Sequence, residues 1–437
     1  MFTKDFWLYF FNTFKEAKWI IVRYLILSSG SLVVGVLANR MELLNLTYFS
    51  AVISLIFFAE MVAFAISGAV EYFTNQNIKN PEKVNNYIKI GFLSSIAFAV
   101  ITAAVMLIFR DFILHNLLNL PTYIDYTFFY LMVGVYLVLT ATTRFLTDAL
   151  RLLKRTKRFM MLTLVKISLT ILGFFLSFLI ADMSLLWLAA FYIAAAASSL
   201  IAGYIFLLKD KDIPVNLLKF TKLRLTKQEL KSSLYLSLGS IVWALGYMMI
   251  PWFLIQSNVV MFNQFTYFNN VLQMGQGFLF SFIIITSIAI NRSMGEKKFD
   301  EAYRHAKYSL YATFIIWMVF FIVVLALIVP ITQGMNSNIQ QDAMASLLVY
   351  MVLKLIWFYE WNLGSYILSW GAEKVIFWQE FATMIYIVAF YITSIFVIIT
   401  GNLYLLYLII MIPAIIKVTM NIVVFKRKKW LKCVASE

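Results

Sequence analysis

Residues 291–310 read NRSMGEKKFDEAYRHAKYSL and form a basic segment between two long apolar stretches. Only 13% of the 437 residues are charged and 62% are hydrophobic, yet this segment holds five basic side chains: Arg292, Lys297, Lys298, Arg304 and Lys307. A similar segment, NQNIKNPEKVNNYIKIGF, occupies residues 75–92. In both segments a polar, basic turn leads into a long apolar run. We interpret both as connections between membrane-spanning helices.

The rest of the chain supports this interpretation. Its mean hydropathy is +0.85, and it contains 41 Phe, 24 Tyr and 11 Trp. So much apolar surface requires lipid contact, and runs of about 20 apolar residues span a bilayer as helices. The runs are continuous rather than alternating, which favours helices over barrel strands. We predict an all-α protein with twelve spans: 19–39, 47–73, 85–109, 123–150, 160–180, 185–208, 233–257, 264–290, 305–330, 343–370, 376–400 and 403–425.

The positive charges follow membrane topology. The connections after the odd-numbered spans carry only Arg40 and Arg110, whereas the other connections and both ends hold nearly all other Lys and Arg. The positive-inside rule therefore places both termini in the cytoplasm. The net charge of +15 reflects this topology, so we expect no nucleic-acid partner. The composition, rich in Lys, Phe, Ile and Asn, is typical of a bacterium with an AT-rich genome. We expect the protein in the bacterial cytoplasmic (inner) membrane.

The sequence contains few residues of the kinds that usually carry out catalysis. Cys433 is the only cysteine, and His115 and His305 are the only histidines. No GxxxxGK[ST] loop or HExxH pair occurs in the sequence. We therefore expect no enzyme, no ATP-driven pump, no resident metal and no cofactor.

The two halves resemble each other. Lys89 and Lys307 occupy equivalent positions 218 residues apart (307 − 89), and Lys157 and Lys374 are separated by 217 (374 − 157), about half the chain. Six spans per copy make this a parallel repeat. We predict an interfacial helix at 1–18, an N-lobe at 19–208, a C-lobe at 233–425 and a basic cytoplasmic tail at 426–437. Residues 209–232 are interpreted as a solvated linker, with a lipid-headgroup or partner patch as the alternative.

Three connections resemble those of the multidrug and toxic compound extrusion (MATE) family. They are MGEKKFDEAYRHAK after span eight, LRLLKRTKRFMM after span four and LSWGAEKVIF after span ten. The resemblance implies two six-helix bundles around a central cavity, with export coupled to inward flow of H⁺ or Na⁺. It also implies that helices two and eight line the cleft. Spans one and seven lack the acid that many multidrug members carry there, so any coupling site must be built differently.

Ionisable side chains within lipid usually face a cavity or a partner. In span two, Glu60, Phe64 and Ser67 lie on one helical stripe with Glu71, and we predict that this stripe meets substrate. The alternative is a protonated carboxyl bonded to a neighbouring helix. In span eight, Asn269, Gln273 and Gln276 share a face with Phe265 and Phe280. These amides either contact a polar substrate or hold helices together.

Span ten contains Lys354 and Glu360, which lie about 120° apart around the helix and so do not form an i, i+4 pair. Glu360 stands roughly where the resembling transporters keep an acid in helix ten. We predict that Glu360 and Glu60 bind the coupling cation, H⁺ or Na⁺, with Glu360 as the candidate Na⁺ ligand. The alternative for Glu360 is a structural pair with Lys354. Glu380, nearer the surface, is interpreted as an anchor or a partner of Lys374.

Arg144, Asp148 and Arg151 are spaced as a surface ion ladder, with a cytoplasmic gate as the alternative. Lys166 and Lys417 are predicted to extend to the cytoplasmic interface.

The function predicted from these features is secondary-active antiport of amphiphilic, cationic organic compounds by alternating access. The alternative is a flippase for lipid-linked oligosaccharide or polysaccharide precursors, whose pyrophosphate requires a positively charged cavity. Lys354 is the one clear cation predicted near mid-depth, and the acids Glu60 and Glu360 oppose it. A cavity with this balance of charge favours efflux of a cationic compound over the flippase. We expect a monomer whose partners are the bilayer and a small organic substrate or a lipid-linked sugar.

Overall fold

A computed structural model describes residues 4–38, 77–117, 125–180, 184–210, 259–333, 343–369 and 403–427, with short pieces of 45–60, 73–74 and 215–242 and single residues 378 and 381. Within these residues the regular structure is helical, and no strand occurs. The chain divides into two compact units. The first unit is Val22–Ala244, and the second unit combines Met1–Ile21 with Leu245–Glu437.

Five long helices precede the middle of the chain. They are α1 (Lys4–Ala38), α2 (Pro81–Ile108), α3 (Thr127–Leu152), α4 (Thr156–Ile180) and α5 (Leu185–Leu208). A π-helical turn at Leu131–Tyr136 interrupts the regular pattern of α3. Within the first unit, α5 packs against both α3 and α4, and α2 packs against α3.

Four long helices follow in the second half. They are α6 (Val259–Gly295), α7 (Phe299–Ala326), α8 (Ala343–Ser369) and α9 (Leu403–Arg427). The helices α6 and α7 form an antiparallel pair. Helices α8 and α9 pack side by side in parallel, since Tyr350 meets Tyr407 near the start of both and Glu360 meets Lys417 further along both. Helix α8 also contacts α6 and α7. Buried aromatic and aliphatic side chains from all four helices form the main core of this unit.

The described helices match nine of the predicted spans. Seven of them, α2 to α8, contain segments long and apolar enough to cross a membrane. The predicted spans 233–257 and 376–400 lie almost entirely outside the described residues, and of span 47–73 the apolar helix Ala51–Glu60 is the main described part. The total of twelve helices and the internal repeat therefore stay predictions, as do the lobe and linker boundaries.

The N-terminus differs from the two separate segments expected there. A single helix, α1, covers both the predicted interfacial helix 1–18 and the first span. No proline or glycine occurs between Lys4 and Ser29, so nothing in the local sequence breaks the helix. The Phe6 side chain is fully buried, and its ring packs against Tyr308 and Tyr311 of α7. The first turns of α1 thus pack on protein.

Two turns between antiparallel helices use the same geometry. Lys154 between α3 and α4 has φ +59°, and Lys297 between α6 and α7 has φ +58°. In the second turn the N–H of Lys298 donates to the carbonyl of Ser293 (2.8 Å) and the N–H of Lys297 to that of Met294 (3.0 Å). This is the Schellman arrangement that ends many helices. The basic segment 291–310 therefore reverses the chain direction in a tight turn between α6 and α7.

Candidate functional site

A buried ion pair joins α8 and α9 in the second unit. The Nζ atom of Lys417 lies 3.0 Å from Oε1 of Glu360, and the two side chains are 10% and 16% exposed. Nδ2 of Asn421, one turn beyond Lys417 on α9, lies 3.4 Å from the backbone carbonyl of Glu360. Helix α8 therefore presents its carboxylate to α9, and the pair is largely screened from solvent.

A second buried lysine lies earlier on α8. Lys354 is 5% exposed, and its Nζ atom donates to Oδ1 of Asn269 on α6 (3.1 Å). The hydroxyl of Tyr350 donates to the same oxygen (3.2 Å). The ammonium lies 5.0 Å from the ring centre of Tyr350 and 4.9 Å from that of Trp357. Asn269 and Lys354, both predicted substrate-cavity residues, are therefore in contact.

Two other predicted residues of α6, Gln276 and Phe280, also lie inside the second unit. Gln276 is 8% exposed, and its Nε2 atom has no hydrogen-bond partner among the described residues. Phe280 packs against the rings of Phe358 (5.2 Å between centroids) and Trp361 (4.5 Å) on α8. Phe280 thus acts at least partly as a packing residue between α6 and α8.

Glu60 in the first unit also has a basic neighbour. Its Oε2 atom lies 3.7 Å from Nη1 of Arg144 on α3, with the side chains 15% and 29% exposed. Lys166 of α4 donates to the Thr140 hydroxyl of α3 and stands over the Tyr136 ring, 5.4 Å from its centre. These contacts gather two partly buried basic groups and a buried hydroxyl along one side of α3.

The predicted ladder on α3 is divided between two partners. Nη1 of Arg151 lies 3.3 Å from Oδ1 of Asp148, and both side chains are largely buried. Arg144 instead contacts Glu60. The expected surface position is therefore wrong for Arg151 and Asp148, because packing of α3 against α5 and α4 covers them. A gating role for these residues stays a prediction.

Several predicted residues cannot be located in the structure. Phe64, Ser67 and Glu71 of the span-two stripe lie outside the described residues, as does Glu380, and the Gln273 side chain is likewise not described. Among the residues that are described, no group of three His, Cys, Asp or Glu side chains comes together as a metal site.

Sequence reasoning missed the roles of two lysines. Lys166 and Lys417 were expected to extend to the cytoplasmic interface, and this is wrong for Lys417, which is buried and bonded to Glu360. Lys166 likewise turns inward to Thr140. The alternative pairing of Glu360 with Lys354 is also wrong, since the partner is on α9. One signal was available: both lysines lie near the middle of their helices, too deep for a surface anchor.

Long apolar helices in two units, with charged pairs largely buried inside each unit, define the class of polytopic membrane proteins. Comparison with known proteins narrows this class. The MatE family model matches residues 20–179. A search of curated proteins found no match.

Solved structures match over the whole chain. A mutant of the Vibrio cholerae MATE transporter VcmN has 14% identity and a TM-score of 0.83, covering 100% of this chain and 99% of that one. A MATE structure in the straight conformation has 11% identity and a TM-score of 0.81, with 100% of both chains covered. An outward-facing multidrug resistance MATE family transporter has 10% identity and a TM-score of 0.79, covering 97% and 96%. At these identities the likeness shows the fold, and the resemblance to MATE transporters predicted from the sequence is confirmed.

Proposed function

We propose that this protein is a secondary-active exporter that moves an amphiphilic organic compound across the membrane by alternating access. The observation that carries the proposal is a MATE fold over the whole chain with an ionisable carboxylate, Glu360, buried in the second unit. A membrane-embedded acid is costly, so its usual uses are binding and coupling. The multidrug transporter among the similar structures supports efflux as the direction of transport.

The contacts of Glu360 favour H⁺ over Na⁺ as the coupling ion. The Lys417 ammonium already stands 3.0 Å from the carboxylate, where a Na⁺ ion would need to bind. Protonation of Glu360 removes its charge and weakens the pair, which would free α8 and α9 to adopt a second arrangement. A proton can therefore bias a two-state element without any further ligand. The Glu60–Arg144 contact offers the same chemistry in the first unit.

The flippase is retained as a second candidate because of the buried lysines. Three lysines lie near the middle of described helices, the buried Lys354 and Lys417 and the partly buried Lys166, against the acids Glu60 and Glu360. The expectation of a single mid-depth cation is therefore wrong. An excess of buried positive charge supports a cargo with an anionic group, as in a lipid-linked sugar pyrophosphate, over a cationic cargo.

The test is reconstitution of the full chain into proteoliposomes with an imposed pH or Na⁺ gradient. Accumulation of a cationic dye is compared with movement of a lipid-linked sugar between leaflets. We expect gradient-driven movement of one of the two, and its loss in Glu360→Gln. Intact gradient-driven transport in both Glu360→Gln and Glu60→Gln would contradict the coupling assignment. Placement in a bacterial inner membrane with both termini cytoplasmic belongs to the same proposal and is checked by C-terminal reporter fusions.

A further inference from the structure

The Lys354 ammonium is buried without a carboxylate partner among the described residues. Its contacts are the Asn269 amide oxygen and the rings of Tyr350 and Trp357. Glu360, the acid on the same helix, is held by Lys417 on α9 instead. Lys354 therefore differs from Lys417, the other buried lysine among the described residues of this unit, whose charge has a carboxylate partner.

Such an arrangement is costly for a structural residue. Removing an ammonium group from water costs several kcal/mol, and cation–π contacts recover only about 0.5–2 kcal/mol. A methionine or leucine at position 354 would fill similar space without this cost. A lysine in this position is therefore better explained by a ligand that carries the missing negative charge.

The groups around Lys354 are rich in hydrogen-bond donors. Oδ1 of Asn269 accepts from both Lys354 and Tyr350, so two donors converge on one oxygen. The Tyr407 ring stacks on Tyr350 with centroids 4.6 Å apart, and its buried hydroxyl has no hydrogen-bond partner among the described residues.

Two further polar groups on these helices are similarly unsatisfied. Oγ of Ser346 lies two turns before Lys354 on α8, and Nε2 of Gln276 lies two turns after Asn269 on α6. Both atoms are buried and have no hydrogen-bond partner in the part of the chain that the structure describes. Buried donors without acceptors are rare in native proteins and call for an explanation.

We infer that Lys354, Asn269, Tyr350 and Tyr407 form a subsite for a phosphate-bearing headgroup of the transported amphiphile. This inference rests on the proposed export function and names the class of its cargo. A phosphate offers several charged oxygens, which match several converging donors better than one carboxylate does. In the ligand-free arrangement the Asn269 oxygen holds the two donors in place, and a phosphate oxygen replaces it as their acceptor.

The test uses the full chain in nanodiscs of phosphatidylcholine with a fluorescent short-chain polyprenyl pyrophosphate as the probe. The comparison ligands are the polyprenol without phosphate and inorganic pyrophosphate. In a second set of nanodiscs, phosphatidylglycerol is included so that this lipid can compete with the probe. The variants are Lys354→Gln, Lys354→Arg and, as the matched control, Lys307→Gln, which removes an equal charge from an exposed position on α7.

We expect Lys354→Gln to weaken probe binding at least ten-fold, about 1.4 kcal/mol. Lys354→Arg should stay within about three-fold of the natural protein by keeping the charge, and Lys307→Gln should bind unchanged. Lys354→Gln should also melt at the same or a higher temperature, because it removes a buried charge. Competition by phosphatidylglycerol that depends on Lys354 would support the subsite and identify a bilayer lipid as the source of the headgroup.

Two results would overturn the inference. One is equal binding of the probe to Lys354→Gln and the natural protein, or equal binding of the polyprenol without phosphate. The other is a marked loss of thermal stability in Lys354→Gln, which would indicate a structural role. The binding assay uses no ion gradient, so its result is independent of the transport assay. If the probe binds in a Lys354-dependent way but no gradient-driven transport is found, the export proposal is refuted and the subsite is not.

Discussion

Breaking the buried Glu360–Lys417 pair tests whether α8 and α9 are held together by charge. The perturbations are Glu360→Gln, Lys417→Met and the double variant. Each single change leaves one ionisable group of the pair without its partner, whereas the double change removes both. We expect the double variant to be more stable than the sum of the two single effects predicts.

The magnitude follows from the geometry of the pair. At 3.0 Å, and with an effective dielectric constant of about 20, the attraction is about 5 kcal/mol. Desolvation of both groups offsets much of it, and removal of one partner from a buried pair typically costs about 3–5 kcal/mol. The side chains are only 10% and 16% exposed, so solvent screening is small. We therefore expect a coupling energy above about 2 kcal/mol.

The assay is thermal or denaturant unfolding of purified protein in detergent, analysed as a double-mutant cycle. The pair Lys298 and Glu296 serves as the control, since its atoms are 2.7 Å apart but the side chains are 58% and 30% exposed. An exposed pair contributes at most about 1 kcal/mol. Strictly additive effects of Glu360→Gln and Lys417→Met, or a coupling no larger than that of the control, would refute the reasoning.

Three further predictions concern the first unit. Gly173→Ala should destabilise this unit by about 1–3 kcal/mol, because the new Cβ would lie only 2.3 Å from Cβ and 2.5 Å from Cγ of Phe191 on α5. Gly134→Ala is the control and should melt almost unchanged, because the nearest atom to its new Cβ is 3.8 Å away. A double-mutant cycle on Glu60 and Arg144 should give a coupling below about 1 kcal/mol, smaller than that of the pair on α8 and α9, because the atoms are 3.7 Å apart and the arginine is more exposed. Asp125 accepts hydrogen bonds from the N–H and the hydroxyl of Thr127, the first residue of α3, and these bonds lower the pKa of its carboxyl. Because the carboxyl is exposed and solvent screens it, Asp125→Ala should cost about 0.5 kcal/mol or less. The stabilisation by Asp125 is present above the ordinary Asp pKa and is lost as the pH falls through the lowered pKa of the folded protein. The melting temperatures of the natural protein and Asp125→Ala should therefore converge in acid. Equal melting temperatures at pH 7 would contradict this prediction.

Much of the fold could be predicted from local patterns. Helix positions follow from apolar runs long enough to cross a bilayer, and nine predicted spans coincide with described helices. The start of α2 is equally local, because Asn80 accepts from the N–H of Lys83 and Pro81 fills the first turn. The resemblance to MATE transporters was also visible in three short connections.

The site was less predictable. Sequence reasoning selected Glu360 correctly as a buried acid but gave it the wrong alternative partner. Lys417 is 57 residues away along the chain, and only packing of α9 against α8 brings the two together. The rule that long basic side chains extend to the interface is also local. It fails where a neighbouring helix offers a carboxylate or a hydroxyl at mid-depth.

The sequence by itself determined that the chain is a helical membrane protein and where its described helices run, because these depend on hydrophobic length along one segment. The side of the membrane that its basic connections face stays a prediction from charge placement. Only the tertiary structure decided the partner of each buried charge. A helix can turn any of its faces to a neighbour, and that choice depends on side chains far away in the chain. The packing of these helices pairs Glu360 with Lys417 and places Lys354 among aromatic rings and hydrogen-bond donors.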